Sequence, residues 1–194
     1  LQGLRVANLL GSNGKMAVSM ALLGADVTVV DISADNARYA RELAAAAGVH
    51  VEYLVMDVME FPAEEYEETF DVVIMELGIL HWIMDLSKFF GIVAKVLKAG
   101  GRCIVRDYHP FKLKVLEWKE GQMLASGNYF DDSIRSGTVP YAKYLNEEEQ
   151  SSLTEIRTRA WTLGDIITHA AGAGLTIRVL HEESGPMQRW VFSE

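Results

Sequence analysis

Short apolar runs alternate with segments of helical spacing along the first half of this sequence, and that alternation restricts the fold more than any other feature. Arg5 to Leu10 reads as a buried strand that ends in the turn cluster Gly11-Ser12-Asn13-Gly14. Ala17, Met20 and Ala21 then recur at helical spacing, and Gly24 stops them. Val27 to Val30 is a β-branched strand running into Asp31. Ser33 is placed to cap a helix whose apolar face is Ala37, Ala40, Leu43, Ala44 and Ala47, ended by Gly48. Val51 to Val55 runs into Met56-Asp57, and Phe70 to Met75 runs into Glu76. A helix from about Asp85 carries Leu86, Phe89, Phe90, Val93 and Leu97, with Gly100-Gly101 expected to end it before a fifth strand, Arg102 to Val105. Strand, helix and parallel strand connect with one hand, so this order predicts a parallel sheet covered by helices on both faces.

Phe111 to Ala160 breaks the rhythm. It mixes Trp118, Tyr129, Phe130, Tyr141 and Tyr144 with turn residues and the acidic run Glu147-Glu148-Glu149. We read residues 111–160 as an insertion, a lid over the functional edge of one domain spanning 1–194. Thr162 and Asp165 then make a capping-box-like start for a helix burying Leu163, Ile166, Ile167 and Ala170. Thr176 to Leu180 and Arg189 to Phe192 are expected as two closing strands around Ser184-Gly185-Pro186. The sequence begins at Leu1 rather than Met, almost on the first strand, so further residues are expected ahead of it.

Composition narrows the partners. The chain has 194 residues, 18 basic and 27 acidic, for a net charge of −9. Such a surface repels phosphate backbones, which disfavours nucleic acid and anionic membranes as partners. Cys103 is the single cysteine and cannot form an internal disulfide, which fits a reducing cytoplasm. No apolar run approaches the roughly 18 residues that span a bilayer. No metal-ligand spacing, Gly-x-Ser-x-Gly elbow or phosphate-binding P-loop occurs.

Open parallel sheets bind ligands beyond the carboxyl ends of their strands. Here those ends carry Gly11-Ser12-Asn13-Gly14, Asp31, Asp57, Glu76-Leu77-Gly78 and Asp107-Tyr108-His109-Pro110. A strand-end carboxylate can accept hydrogen bonds from a diol or an exocyclic amine, and a glycine turn lets a ligand approach the backbone. With Lys98-Ala99-Gly100-Gly101 ahead of the fifth strand, this ordered set resembles the class I S-adenosylmethionine (SAM)-dependent methyltransferases over nearly the whole chain. The family's first motif is an acid followed by three alternating glycines. Here Asn8 stands at the acid position and Leu10 and Ser12 at two glycine positions, while Gly14 matches and Gly11 lies one position off.

The resemblance implies a Rossmann-like α/β fold with a seven-stranded, mostly parallel sheet of order 3-2-1-4-5-7-6, strand seven antiparallel. It implies SAM as cofactor, S-adenosylhomocysteine (SAH) as product, and an acceptor that the charge suggests is a small molecule. By the same resemblance Gly11, Ser12, Gly14, Glu76, Leu77 and Gly78 line the methionine part, Asp31 holds the ribose hydroxyls, Ile32 packs on adenine, and Asp57 with Val58 meets its amino edge.

Methyl transfer needs alignment and sometimes a proton acceptor. His109, after the fifth strand, is the first candidate for a base or orienting group, and His81, after the fourth, is the second. Trp82, Tyr108, Tyr129 and Trp161 are candidate walls for an apolar acceptor. A nicotinamide oxidoreductase would want Gly-x-Gly-x-x-Gly in the first turn and leaves Asp57 without a role. A SAM-binding module of the same fold that no longer catalyses is the second reading, motivated by the altered first motif.

Overall fold

The computed structural model describes residues 1–139, 142, 144, 146 and 155–183. Two compact units make up the chain. The first is Leu1–Ile79, Asp85–Asp107 and Thr168–Thr176, and the second is Leu80–Met84, Tyr108–Ile167 and Ile177–Glu194.

The first unit holds β1 (Arg5–Leu9), α1 (Lys15–Leu22), β2 (Asp26–Asp31), α2 (Ala34–Ala47), β3 (Glu52–Val55), β4 (Phe70–Glu76), α3 (Leu86–Val96) and β5 (Leu97–Arg106). Its sheet has order β3-β2-β1-β4-β5, with every neighbouring pair parallel. That is the Rossmann-like arrangement, and its central strands β1 and β2 are buried and mostly apolar, with Asn8 and Thr28 as buried polar exceptions. Val6, Leu9, Val27, Val29, Val30, Val73 and Met75 are essentially inaccessible. Phe89 and Phe90 of α3 are fully buried as well, and burying each such ring contributes roughly 1.5–3 kcal/mol.

Local chemistry sets the ends of the elements. The Ser33 hydroxyl accepts the Asn36 N–H at 3.2 Å at the start of α2, and Asp85 does the same for Lys88 at 3.0 Å at the start of α3. β1 stops at Leu9, one residue short of the expected end, because Leu10 turns to φ 50°. α3 ends at Val96, ahead of Gly100-Gly101. Leu97 already pairs with Phe70, and Lys98 to Gly101 form a bulge before Arg102 pairs with Val72.

In the second unit, α4 (Pro110–Val115) leads into an antiparallel hairpin of β6 (Leu116–Lys119) and β7 (Gln122–Ala125). β8 (Ile134–Gly137) pairs antiparallel with β9 (Ile156–Arg159). α5 (Leu163–Gly172), whose residues are divided between the two units at Ile167, opens with the capping box: the Thr162 N–H meets Asp165 at 2.9 Å and the Asp165 N–H meets the Thr162 hydroxyl at 3.0 Å. Lys114 is buried, and its ammonium donates to the carbonyls of Asp131 and Ala160. Burial pulls its pKa below the usual lysine value.

The two expected closing strands are not paired among the described residues. Among the described residues the large sheet has five strands, and Thr176 to Leu180 joins none. A β-branched run becomes a strand only with a ladder partner, and the expected partner, Arg189 to Phe192, lies outside the described residues, as do Tyr141, Glu147 to Glu149 and Ser184 to Pro186. Ile177, Val179 and Leu180 are exposed. Among the described residues no helix is long and apolar enough to cross a membrane.

Candidate functional site

The carboxyl edge of the first unit's sheet gathers four short segments, one from each of β1 to β4. The turn after β1 has an unusual backbone. Leu10, Ser12 and Gly14 all lie in the left-handed region, at φ 50°, 48° and 74°. These are the three positions at which the family motif has glycine. The left-handed geometry is therefore present where two of the glycines are not, and each non-glycine residue there costs on the order of 1 kcal/mol.

Gly11 serves a different need. A Cβ on it would lie 2.7 Å from both Asn8 Oδ1 and Val29 Cγ1, so only glycine fits. Asn8 is 2% exposed and its amide nitrogen donates to the Ile74 carbonyl at 3.3 Å. Its Oδ1 is buried with no hydrogen-bond partner among the described residues. A buried acceptor left open in this way is rare and expects a donor.

Asp31 at the end of β2 binds the turn back to itself. Its Oδ2 accepts the Ser12 N–H at 3.0 Å and its Oδ1 accepts the Ser33 N–H at 2.9 Å. A carboxylate has about four acceptor positions, so two remain open. Ile32, next in sequence, is 74% exposed. Asp57 caps a short 3-10 turn, Val58–Glu60, by accepting the Met59 N–H at 2.8 Å through Oδ1. Its Oδ2 has no partner among the described residues, and Val58 is buried beneath.

At the end of β4, Glu76 pairs with Arg106 of β5 at 2.9 Å. Leu77 is left-handed at φ 56° and Gly78 at φ 81°. Asp107 braces this bend: its two oxygens accept the Gly78 N–H at 2.7 Å and the Ile79 N–H at 3.1 Å. Gly11, Ser12, Gly14, Asp31, Ile32, Asp57, Val58, Glu76, Leu77 and Gly78 thus share one edge of one unit. Carboxylates, an open amide oxygen and an exposed aliphatic surface there suit a ligand with hydroxyl and amine donors around an apolar ring.

His81 and His109 lie in the second unit. His81 is in the 3-10 turn Leu80–Trp82, with its ring 4.7 Å from that of Trp82. His109 caps α4, its Nδ1 accepting the Phe111 N–H at 3.1 Å, while its Nε2 bonds to Glu182 Oε1. An accepting Nδ1 makes Nε2 the protonated, donating nitrogen. Of the candidate aromatic walls, Trp161 is buried and donates to the Ile83 carbonyl at 2.9 Å, and the Tyr129 hydroxyl accepts the Leu163 N–H at 2.9 Å. Those bonds give both rings a structural task. Tyr108 stacks under the Lys112 ammonium, 4.3 Å from the ring centre.

Three residues carry more of the edge than their sequence context suggested: Asn8, Asp107 and Tyr53. Tyr53 is buried on β3 and its hydroxyl donates to the Ser12 carbonyl at 2.6 Å. The readable signal was a tyrosine in an alternating apolar strand, since a buried hydroxyl requires a partner.

Comparison with known proteins agrees with this geometry. A family model described as a methyltransferase domain matches residues 9–105. A ubiquinone biosynthesis O-methyltransferase of Sinorhizobium medicae is 32% identical over 149 residues, covering 77% of this chain and 57% of that protein. One of the same name from Xanthomonas euvesicatoria is 33% identical over 102 residues, covering 53% of this chain and 42% of its own. The chain spans about half the length of these curated relatives. An S-adenosylmethionine-dependent methyltransferase structure from Mesorhizobium loti superposes with a TM-score of 0.68 at 21% identity, covering 89% of this chain and 74% of that one. The sheet order, the left-handed turn after β1 and the match over residues 9–105 lead to one assignment: the chain belongs to the methyltransferase-domain family, with the class I SAM-dependent fold.

Proposed function

We propose that the protein transfers the methyl group of SAM to a small-molecule acceptor. The observation that carries this reading is the turn after β1, which keeps left-handed backbone at Leu10, Ser12 and Gly14 opposite the Asp31 carboxylate. The residues at the edge fit the cofactor. Asp31 has acceptor positions open for the ribose hydroxyls, and Ile32 offers an exposed aliphatic face to the adenine. The open oxygen of Asp57 accepts from an exocyclic amine, with the Val58 backbone beside it. The backbone of Gly11 to Gly14, with Glu76 to Gly78, would hold the amino-acid end.

When bound, SAM supplies an electrophilic methyl carbon and its own leaving group. What this chain contributes is binding, orientation and exclusion of water. We read residues 111–160, the expected insertion, as the segment that selects the acceptor. His109 is better suited to ordering the chain after β5 than to taking a proton, because both ring nitrogens are engaged. His81 is the remaining candidate group for the acceptor side.

The curated relatives are named O-methyltransferases, so small hydroxyl compounds are the first acceptor class to test. The net charge of −9 supports this over nucleic acid, and the single Cys103 supports a reducing, cytoplasmic setting. Incubation with methyl-labelled SAM and a panel of small hydroxyl compounds should yield SAH and a labelled product. SAM binding without turnover on any acceptor would favour the non-catalytic module, and absence of SAM binding would remove both readings.

A further inference from the structure

Ser12 carries a side chain in a conformation that favours glycine, and two neighbouring strands hold it there. The Asp31 carboxylate accepts its N–H at 3.0 Å, and the Tyr53 hydroxyl donates to its carbonyl at 2.6 Å. These two groups belong to the two peptide planes that flank the Ser12 Cα. Fixing both planes fixes φ and ψ between them. The grip therefore determines the left-handed geometry of Ser12 from outside the turn.

Tyr53 is well placed for this task. It is 6% exposed, its backbone pairs with Val29 in the sheet, and the Arg41 guanidinium lies 6.0 Å from its ring centre. Burial, with the nearby Asp31 charge, raises the phenol pKa far above neutrality, so it remains a donor at any physiological pH.

We propose that Tyr53 is a positioning residue for cofactor binding: by holding the Ser12 carbonyl it supplies the turn geometry that glycine supplies in the family motif. Tyr53 touches no cofactor in this account and acts through Ser12. The proposal rests on the SAM-binding reading above.

Tyr53→Phe keeps the ring and removes the hydroxyl. Calorimetry should show SAH affinity falling by about tenfold, the size expected for one lost hydrogen bond. In the ligand-free protein, amide exchange at Gly11 to Lys15 should speed up by a similar factor. Ser12→Gly added to Tyr53→Phe should restore most of the affinity, because glycine adopts the left-handed geometry unaided. A purely structural role for Tyr53 would not be rescued by a change at Ser12. Unchanged SAH affinity in Tyr53→Phe, or a double variant as weak as the single one, would overturn the proposal. If the parent protein binds no SAH, the SAM reading fails, and the exchange measurement alone then decides: unchanged exchange in Tyr53→Phe overturns the clamp as well.

Discussion

The Ser12 amide donates to Asp31 Oδ2 at 3.0 Å, tying the turn after β1 to the end of β2 across nineteen positions of sequence. Asp31 therefore shapes the site as well as lining it. Asp31→Ala should reduce SAH affinity by at least tenfold, since each charge-assisted bond contributes about 1.5–3 kcal/mol. Chemical denaturation should show a loss of about 1–2 kcal/mol even without ligand, because the Ser12 and Ser33 amides lose their acceptor. A variant with unaltered SAH affinity would remove Asp31 from the site.

Glycines 11 and 91 should respond in opposite directions to alanine. At Gly11 the new Cβ would sit 2.7 Å from Asn8 Oδ1 and from Val29 Cγ1, and overpacking of this kind costs about 1–3 kcal/mol. Nothing lies within 4 Å of a Cβ at Gly91, in the middle of α3. Gly91→Ala should add about 0.5–1 kcal/mol of stability through helix propensity. Urea midpoints of the two variants would check both signs.

Acid should loosen the opposite edge of the sheet. The Lys98 ammonium, bonded at 2.8 Å, and then the Arg5 N–H hold the Asp71 carboxyl below its ordinary value of 3.8. A carboxylate with a depressed pKa stabilises the fold at neutral pH, and that contribution is lost as pH falls through the folded-state value. Asp71→Asn should lower the thermal midpoint at pH 7, with the difference from the parent closing as pH drops below the carboxylate range. A constant gap across pH would show that the charge is irrelevant.

Cys103 should resist alkylation in the native protein. Burial pushes its thiol up to about 11, leaving on the order of one thiolate per thousand molecules at pH 8. Iodoacetamide should label it slowly in the folded state and rapidly in denaturant. Equal rates in both states would show that the partial burial of Cys103 does not shield it.

His109→Asn separates capping from proton transfer. Asparagine can still accept the Phe111 N–H at the start of α4 but cannot take a proton near neutrality. With an acceptor substrate in hand, turnover within a few-fold of the parent is the expected result. A fall of about 10²–10⁴ would establish His109 as a general base.

Much of the first unit was legible in the sequence because its signals are local. The Ser33 cap, the α2 stop at Gly48 and the strand-end acids Asp31 and Asp57 each follow from a few adjacent residues. The turn after β1 was only half legible. Leu10 and Ser12 read as departures from a glycine motif, yet they occupy the glycine backbone, since a sequence names side chains and not dihedral angles. What holds Ser12 there comes from Tyr53, forty-one positions away, and no local pattern encodes that contact. Burial of Lys114 was invisible for the same reason: its two carbonyl partners belong to distant segments. Thr176 to Leu180 pairs with no strand among the described residues, and its expected partner lies outside them.

A turn built from three glycines is loose until its ligand arrives, and ordering it then takes a toll on affinity. In this chain the side chains of Leu10 and Ser12 remove many of those conformations in advance, at the expense of static strain in the folded protein. Such a turn trades entropy at the moment of binding for enthalpy stored beforehand. Association through it should accordingly carry a smaller unfavourable entropy than through a glycine-rich counterpart, and should depend less steeply on temperature.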